Sequence, residues 1–140
     1  MLRLLGKTAL EHNTVRGEWH YGVPGAGKSH TVRTTYPDAY IKQQNKWFDG
    51  YQGEKVIILE DMDTDTLSHH LKIWADKYSC TGETKGYQVP LMHEKLVITS
   101  NFSIEELFKD KGETTVEAIR RRFEIHHYPV RYGSVLPIGK

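Results

Sequence analysis

The sequence predicts an α/β fold with a central, mostly parallel sheet flanked by helices, and three observations predict it. Val56-Ile57-Ile58-Leu59 and Leu96-Val97-Ile98-Thr99 are continuous apolar runs rich in β-branched residues, the pattern of parallel strands buried on both faces. Segments of helical spacing fall between and after these runs, and strands that alternate with helices pair in parallel. A Gly/Pro-rich loop, Gly22 to Ser29, stands between a short aromatic strand and a helix.

Taken in order, residues 1–17 form a weakly amphipathic lead segment in which Leu2, Leu5 and Ala9 line a short helix. Glu18 to Tyr21 is a strand, and Lys28 to Tyr36 a helix stopped by Pro37. Ala39 to Ile41 is a second strand, and Asn45 to Gly53 a loop anchored by Trp47 and Phe48. The apolar run at 56–59 is followed by the best helix, Asp65 to Tyr78, with Leu67, Leu71, Trp74 and Tyr78 at helical spacing. Thr81 to Leu91 alternates around Gly82, Gly86 and Pro90 and is expected to form a hairpin or an extended loop. Ser103 to Lys109 and Thr115 to Arg122 are helices, Glu124 to Tyr128 closes as a strand, and residues 129–140 form an irregular tail.

The chain's 140 residues suit one domain, here 18–128, and its 38% hydrophobic and 26% charged residues are ordinary for a globular protein. A net charge of +1 gives no global field, so any nucleic-acid contact must come from local basic residues. The single cysteine, Cys80, excludes an internal disulfide. No apolar run reaches the roughly 18 residues of a membrane span, so no membrane partner is expected. His69-His70 and His126-His127 are adjacent pairs whose side chains point apart, so neither pair is a chelate.

Gly22-Val23-Pro24-Gly25-Ala26-Gly27-Lys28-Ser29 matches G-x4-G-K-[ST] in full. Its glycines let backbone N–H groups wrap a phosphate, and the helix that follows presents its positive end to the anion. Lys28 would reach the β- and γ-phosphates of ATP, and the Ser29 hydroxyl would ligate Mg²⁺. The nucleotide-contacting set is Gly22, Pro24, Gly25, Ala26, Gly27, Lys28, Ser29 and the next residue, His30.

Glu60 and Asp61 cap the carboxyl end of a buried strand, where ligands of open α/β sheets sit. By order, Glu60 would hold Mg²⁺ through water, and Asp61 would polarise the water that attacks the γ-phosphate. The strand at 96–99 has a polar tip, with Asn101 placed to orient that water. Ser103 with Glu106 fits a helix capping box, which leaves Asn101 free. Arg120-Arg121-Arg122 ends a helix. Such cations suit a helix C-terminus, and a guanidinium can also complete a neighbouring subunit's site, with Arg122 placed ahead of Arg121.

With Glu83-Thr84-Lys85-Gly86 and Asn45-Lys46-Trp47-Phe48-Asp49-Gly50-Tyr51 added, and Val116-Glu117-Ala118-Ile119 before the arginines, these motifs occur in an order that is familiar. Over residues 19 to 128 the chain resembles the superfamily 3 helicase domain, and within it the replication-initiator (Rep) proteins of small circular single-stranded DNA viruses of the circovirus kind. The phosphate loop alone is generic, whereas the ordered set is specific. The resemblance implies a P-loop NTPase of modified AAA+ type and a ring homo-oligomer, usually hexameric. It also implies 3′ to 5′ translocation on single-stranded DNA in rolling-circle replication, and location in the host cell nucleus. A DNA-binding hairpin facing the ring channel maps onto Lys85, Gly86 and Tyr87, where a lysine tracks phosphates and an aromatic ring stacks. The family's nicking domain carries a His-hydrophobe-His pair and a Tyr-x-x-Lys motif. Neither pattern occurs in these residues, so nicking is not expected of them. Two other classes compete: a P-loop nucleoside or nucleotide kinase, and a nucleotide-dependent ring that binds DNA without unwinding it.

Overall fold

The apolar runs at 56–59 and 96–99 lie side by side at the centre of a parallel sheet, in the computed structural model that describes residues 16–78 and 80–129. Its elements are β1 (Gly17–Gly22), α1 (Lys28–Thr35), β2 (Tyr40–Lys42), β3 (Val56–Leu59), α2 (Ser68–Trp74), β4 (Cys80–Thr84), β5 (Tyr87–Leu91), β6 (Lys95–Ser100), α3 (Ile104–Leu107), α4 (Glu113–Arg120) and β7 (Phe123–Tyr128). Strand order in the sheet is β2-β3-β6-β1-β7, all parallel. β6 is thus wedged between the strand that leads into the glycine-rich loop and the strand that ends in two acids. β4 and β5 form a separate antiparallel hairpin.

Both faces of the sheet are covered, which explains why β3 and β6 read as unbroken apolar runs. On one face Ile57, Leu59, Leu96 and Ile98 join Trp19, Leu71, Trp74, Ile104, Phe108, Ile119 and Phe123 in the main core. On the other, Ile58 and Val97 pack with Val32 of α1. The half of this second face formed by β1 and β7 is polar. There Glu18 accepts from Tyr36 Oη at 2.7 Å and pairs with Lys95 Nζ at 3.2 Å. A hydrogen bond with His20, outweighing burial, holds the Glu18 carboxyl down to about 2.

Three helices differ from the sequence expectation. The helix expected over 65–78 shrinks to Ser68–Trp74. At its start Thr64 and Asp65 close a turn, with Thr66 N donating to Thr64 Oγ1. At its end Arg16, buried, donates through its guanidinium to the carbonyls of Asp76, Tyr78 and His93, so the chain after Ala75 bonds to a side chain instead of continuing the helix. Tyr78, expected in the helix's apolar stripe, is 54% exposed. The helix expected over 103–109 is one α-turn, 104–107, followed by a 3₁₀ turn at 109–111, and the last helix runs 113–120 rather than 115–122. Ser103 forms the expected capping box with Glu106. The expected lead helix, with Leu2, Leu5 and Ala9, lies outside the described residues, as does the tail beyond Pro129. Among the described residues no helix is long and apolar enough to cross a membrane.

Lys42 shows how a short edge strand organises the loop after it. Its Nζ donates to the carbonyls of Asn45 and Trp47, both at 2.6 Å, and stands over the Phe48 ring at 4.2 Å. Burial pushes its ammonium down to about 8 from an ordinary 10.5. The folded chain therefore binds fewer protons than the unfolded chain between those values. This group's contribution to stability is lowest below pH 8 and rises as pH climbs toward 10.5. Lys42→Met is expected to remove that rise from a plot of Tm against pH. It should also lower stability by about 2–4 kcal/mol, measured by urea unfolding at pH 7, because two carbonyls lose a charged donor.

Candidate functional site

β1 hands the chain to the glycine-rich loop at Gly22, where φ is 154° and a side chain's Cβ would stand 2.0 Å from the Tyr128 carbonyl oxygen. Gly25 and Gly27 have φ of 81° and 84°, a region glycine enters at little cost. Gly27 is the N-cap of α1, and no side chain caps that end. The first N–H groups of the helix and its positive end are left for an anion. Pro24, Gly25, Ala26, Gly27, Lys28, Ser29 and His30 line a cleft of about 430 Å³, together with Asp61 and Asn101.

Lys28 is buried and donates to the carbonyls of Gly22 and Val23, at 3.1 and 2.9 Å, and to Asn101 Oδ1 at 3.2 Å. Burial lowers its pKa and the charge of Asp61 opposes that. The wedged position of β6 is what brings Asn101 to the lysine: its strand is the neighbour of β1, and the tip of one strand meets the loop of the other.

The two acids diverge. Glu60 turns toward α1, where Arg33 grips both its carboxylate oxygens, one through Nη2 at 2.9 Å. Asp61 lines the cleft. Its backbone takes φ 53°, a left-handed pose that aspartate tolerates better than most residues. Three bonds hold this kink: Asp61 N to Thr99 Oγ1 at 2.9 Å, Gln44 Nε2 to Asp61 O at 3.1 Å, and Asp63 N to Gln44 Oε1 at 3.1 Å. Gln44 escaped the sequence reading, since a lone glutamine before a loop carries no motif. The signal was the order of strands, which sets the β2 exit beside the β3 tip.

Lys85 and Gly86 form the two-residue turn between β4 and β5, with Gly86 at φ 132° and Tyr87 68% exposed. The hairpin is moored to the loop after β2: Phe48 N donates to Glu83 O at 2.8 Å, Lys46 pairs with Glu83 at 3.2 Å, and Gly82 packs against the Phe48 ring. Of the arginines, Arg120 pairs with Glu105. Arg122 donates to the Ala118 carbonyl at 2.6 Å and to Asp76 Oδ2 at 3.3 Å. Arg121 is exposed, and its side chain makes no hydrogen bond or ion pair among the described residues. None of the three lines the cleft of its own chain.

The model of the RNA helicase family matches residues 18–104. The replication-associated protein of Porcine circovirus 1 is 39% identical over 104 residues, 72% of this chain and 33% of that protein. That of Porcine circovirus 2 is 36% identical over 107 residues, again 72% and 33%. This chain spans about a third of the length of these curated relatives. A solved primosome component from Streptococcus pyogenes serotype M3 aligns with a TM-score of 0.49 and 16% identity, covering 85% of this chain and 71% of that one.

Proposed function

The chain belongs to the RNA helicase family and is similar to the circovirus replication-associated proteins, and from this we propose that it is an ATP-hydrolysing motor that moves 3′ to 5′ on single-stranded DNA in viral rolling-circle replication. The observation that carries this reading is the convergence of Lys28, Asp61 and Asn101 on one cleft at an uncapped helix end. A triphosphate takes the loop N–H groups and Lys28, which then exchanges its own loop carbonyls for phosphate oxygens. Ser29 and Asp61 line one wall with a hydroxyl and a carboxylate, a donor set suited to Mg²⁺, which supplies charge neutralisation at the phosphates when bound. Asp61 and Asn101 orient the attacking water. Glu60 would hold the ion through water only if its carboxylate left Arg33.

Arg122, expected ahead of Arg121 for this role, is tied to the Ala118 carbonyl and Asp76, so the preference passes to the exposed Arg121, which lies outside its own chain's cleft and would complete the site of a neighbouring copy in a ring. Lys85, Gly86 and Tyr87 hold the DNA backbone and a base. Location in the nucleus follows from the proposed role.

The deciding experiment measures phosphate release from ATP with Mg²⁺, with and without single-stranded DNA, and strand displacement from a forked duplex. Release to water, raised by DNA, is expected, and Lys28→Ala is expected to lower it by roughly 10²–10³-fold. Phosphate appearing on a nucleoside would indicate a kinase, and absence of ATP binding would overturn the reading. Lys85→Ala is expected to weaken binding equally for all DNA sequences and to lower the slope of log K against log salt by about 1. Gln44→Ala frees the Asp61 kink. It is expected to lower kcat by roughly 10- to 100-fold with KM little changed, in steady-state hydrolysis.

A further inference from the structure

β1 and β7 repeat one pattern in register. Glu18 faces Glu124 and His20 faces His126, so the segments Glu18-Trp19-His20 and Glu124-Ile125-His126 set two carboxylates and two imidazoles on one face of the sheet. Like charges directly opposite one another on paired strands destabilise the sheet unless a cation lies between or beside them. Among the described residues Lys95 pairs with Glu18 and not with Glu124.

Glu18, His20 and His126 each bring a ligand atom to within 4.8 Å of the other two. Glu18 Oε1 and His20 Nε2 are 3.0 Å apart, and His126 Nε2 and Glu124 Oε1 are 3.5 Å apart. These bracket the ~3.3 Å ligand separation of a tetrahedron with bonds of about 2.0–2.1 Å. His126 Nε2 is buried and makes no hydrogen bond among the described residues. The outer atoms already have partners: His20 Nδ1 meets Tyr128 Oη at 2.9 Å, and Glu18 Oε2 accepts from Tyr36 and pairs with Lys95. Outer partners of this kind orient metal ligands.

We propose that Glu18, His20 and His126 form a binding site for one divalent transition metal of zinc type, with the exposed Glu124 beside His126 swinging in as the fourth ligand, and that the ion clamps β1 to β7 beneath the phosphate loop. The metal takes the place of the proton between His20 Nε2 and Glu18, and neutral His20 carries its one proton on Nδ1, donated to Tyr128 Oη. The two imidazoles, now stacked at 4.3 Å, tilt so that both Nε2 lone pairs converge. The site is separate from the nucleotide cleft, whose lining contains none of these four residues.

The test is calorimetric titration of Zn²⁺ into chelator-stripped protein at pH 7.5 without nucleotide, with Co²⁺ absorption to report coordination and Tm to report the clamp. One ion per chain, an intense tetrahedral Co²⁺ band and a metal-dependent rise in Tm are expected. Uptake should be lost in His126→Gln, whose half-exposed site tolerates the change, and kept in His69→Gln/His70→Gln. Tyr128→Phe is expected to weaken it by roughly 10-fold or more. Glu124→Gln, on an exposed side chain, should convert the Co²⁺ spectrum to that of a site with one more water. Absence of stoichiometric uptake by the folded wild type would overturn the proposal, and so would uptake that survives His126→Gln or disappears with His30→Gln.

Discussion

Arg121→Ala is expected to lower DNA-stimulated ATP hydrolysis by roughly 10³–10⁵-fold, the range of an arginine that completes a phosphoryl-transfer site from a neighbouring subunit. ATP binding by each chain should be almost unchanged, since no arginine of the 120–122 run lines that chain's own cleft. Arg122→Ala should differ in kind. Its guanidinium ties the Ala118 carbonyl and Asp76, so the loss should register first as a lower Tm, with a smaller fall in kcat. Steady-state kinetics beside thermal unfolding of both variants separates the two roles. Equal kinetic losses, or a loss confined to Arg122→Ala, would assign the finger to Arg122.

Asp61→Asn is expected to lower kcat by roughly 10²–10⁴-fold, the contribution of a positioned base. Asparagine also tolerates a left-handed backbone, so the φ 53° kink and its bonds to Thr99 and Gln44 survive while the charge is removed. The neighbouring Lys28 loses an anion that raises its pKa, so ATP binding should hold or weaken only slightly. Mixing Asp61→Asn with Arg121→Ala gives the sharper measurement. Each should be strongly impaired alone, yet a site with an intact Asp61 can receive an intact Arg121 from the other variant. Activity regained on mixing is the expected result. No recovery at any ratio would place both groups in one chain's site.

The sheet was legible because its strands are buried on both faces: β3 and β6 could be read as apolar runs with no periodicity to confuse. The phosphate loop was legible because glycine, lysine and serine are needed at fixed spacing. Helix ends were less so. A stripe through Leu67, Leu71, Trp74 and Tyr78 looks like one long helix, but Arg16 takes the carbonyls beyond Ala75, and a residue so distant in sequence leaves no local mark. The same reason hid Gln44, whose importance depends on where β2 ends relative to β3. Adjacent acids look interchangeable in sequence; the Arg33 grip on Glu60 and the left-handed turn at Asp61 separate them only in three dimensions.

The position of β1 has a consequence for how the chain is made. This strand carries the phosphate loop, yet both its neighbours come much later in the chain, pairing Gly17 with Leu96 and with Phe123. At roughly 5–20 residues per second, several seconds pass on the ribosome before either partner emerges. Loop closure over such separations is slow, and β1 stays an unpaired edge until it is complete. The polar side chains of Glu18 and His20 on one face of that waiting strand lower its tendency to pair with other chains.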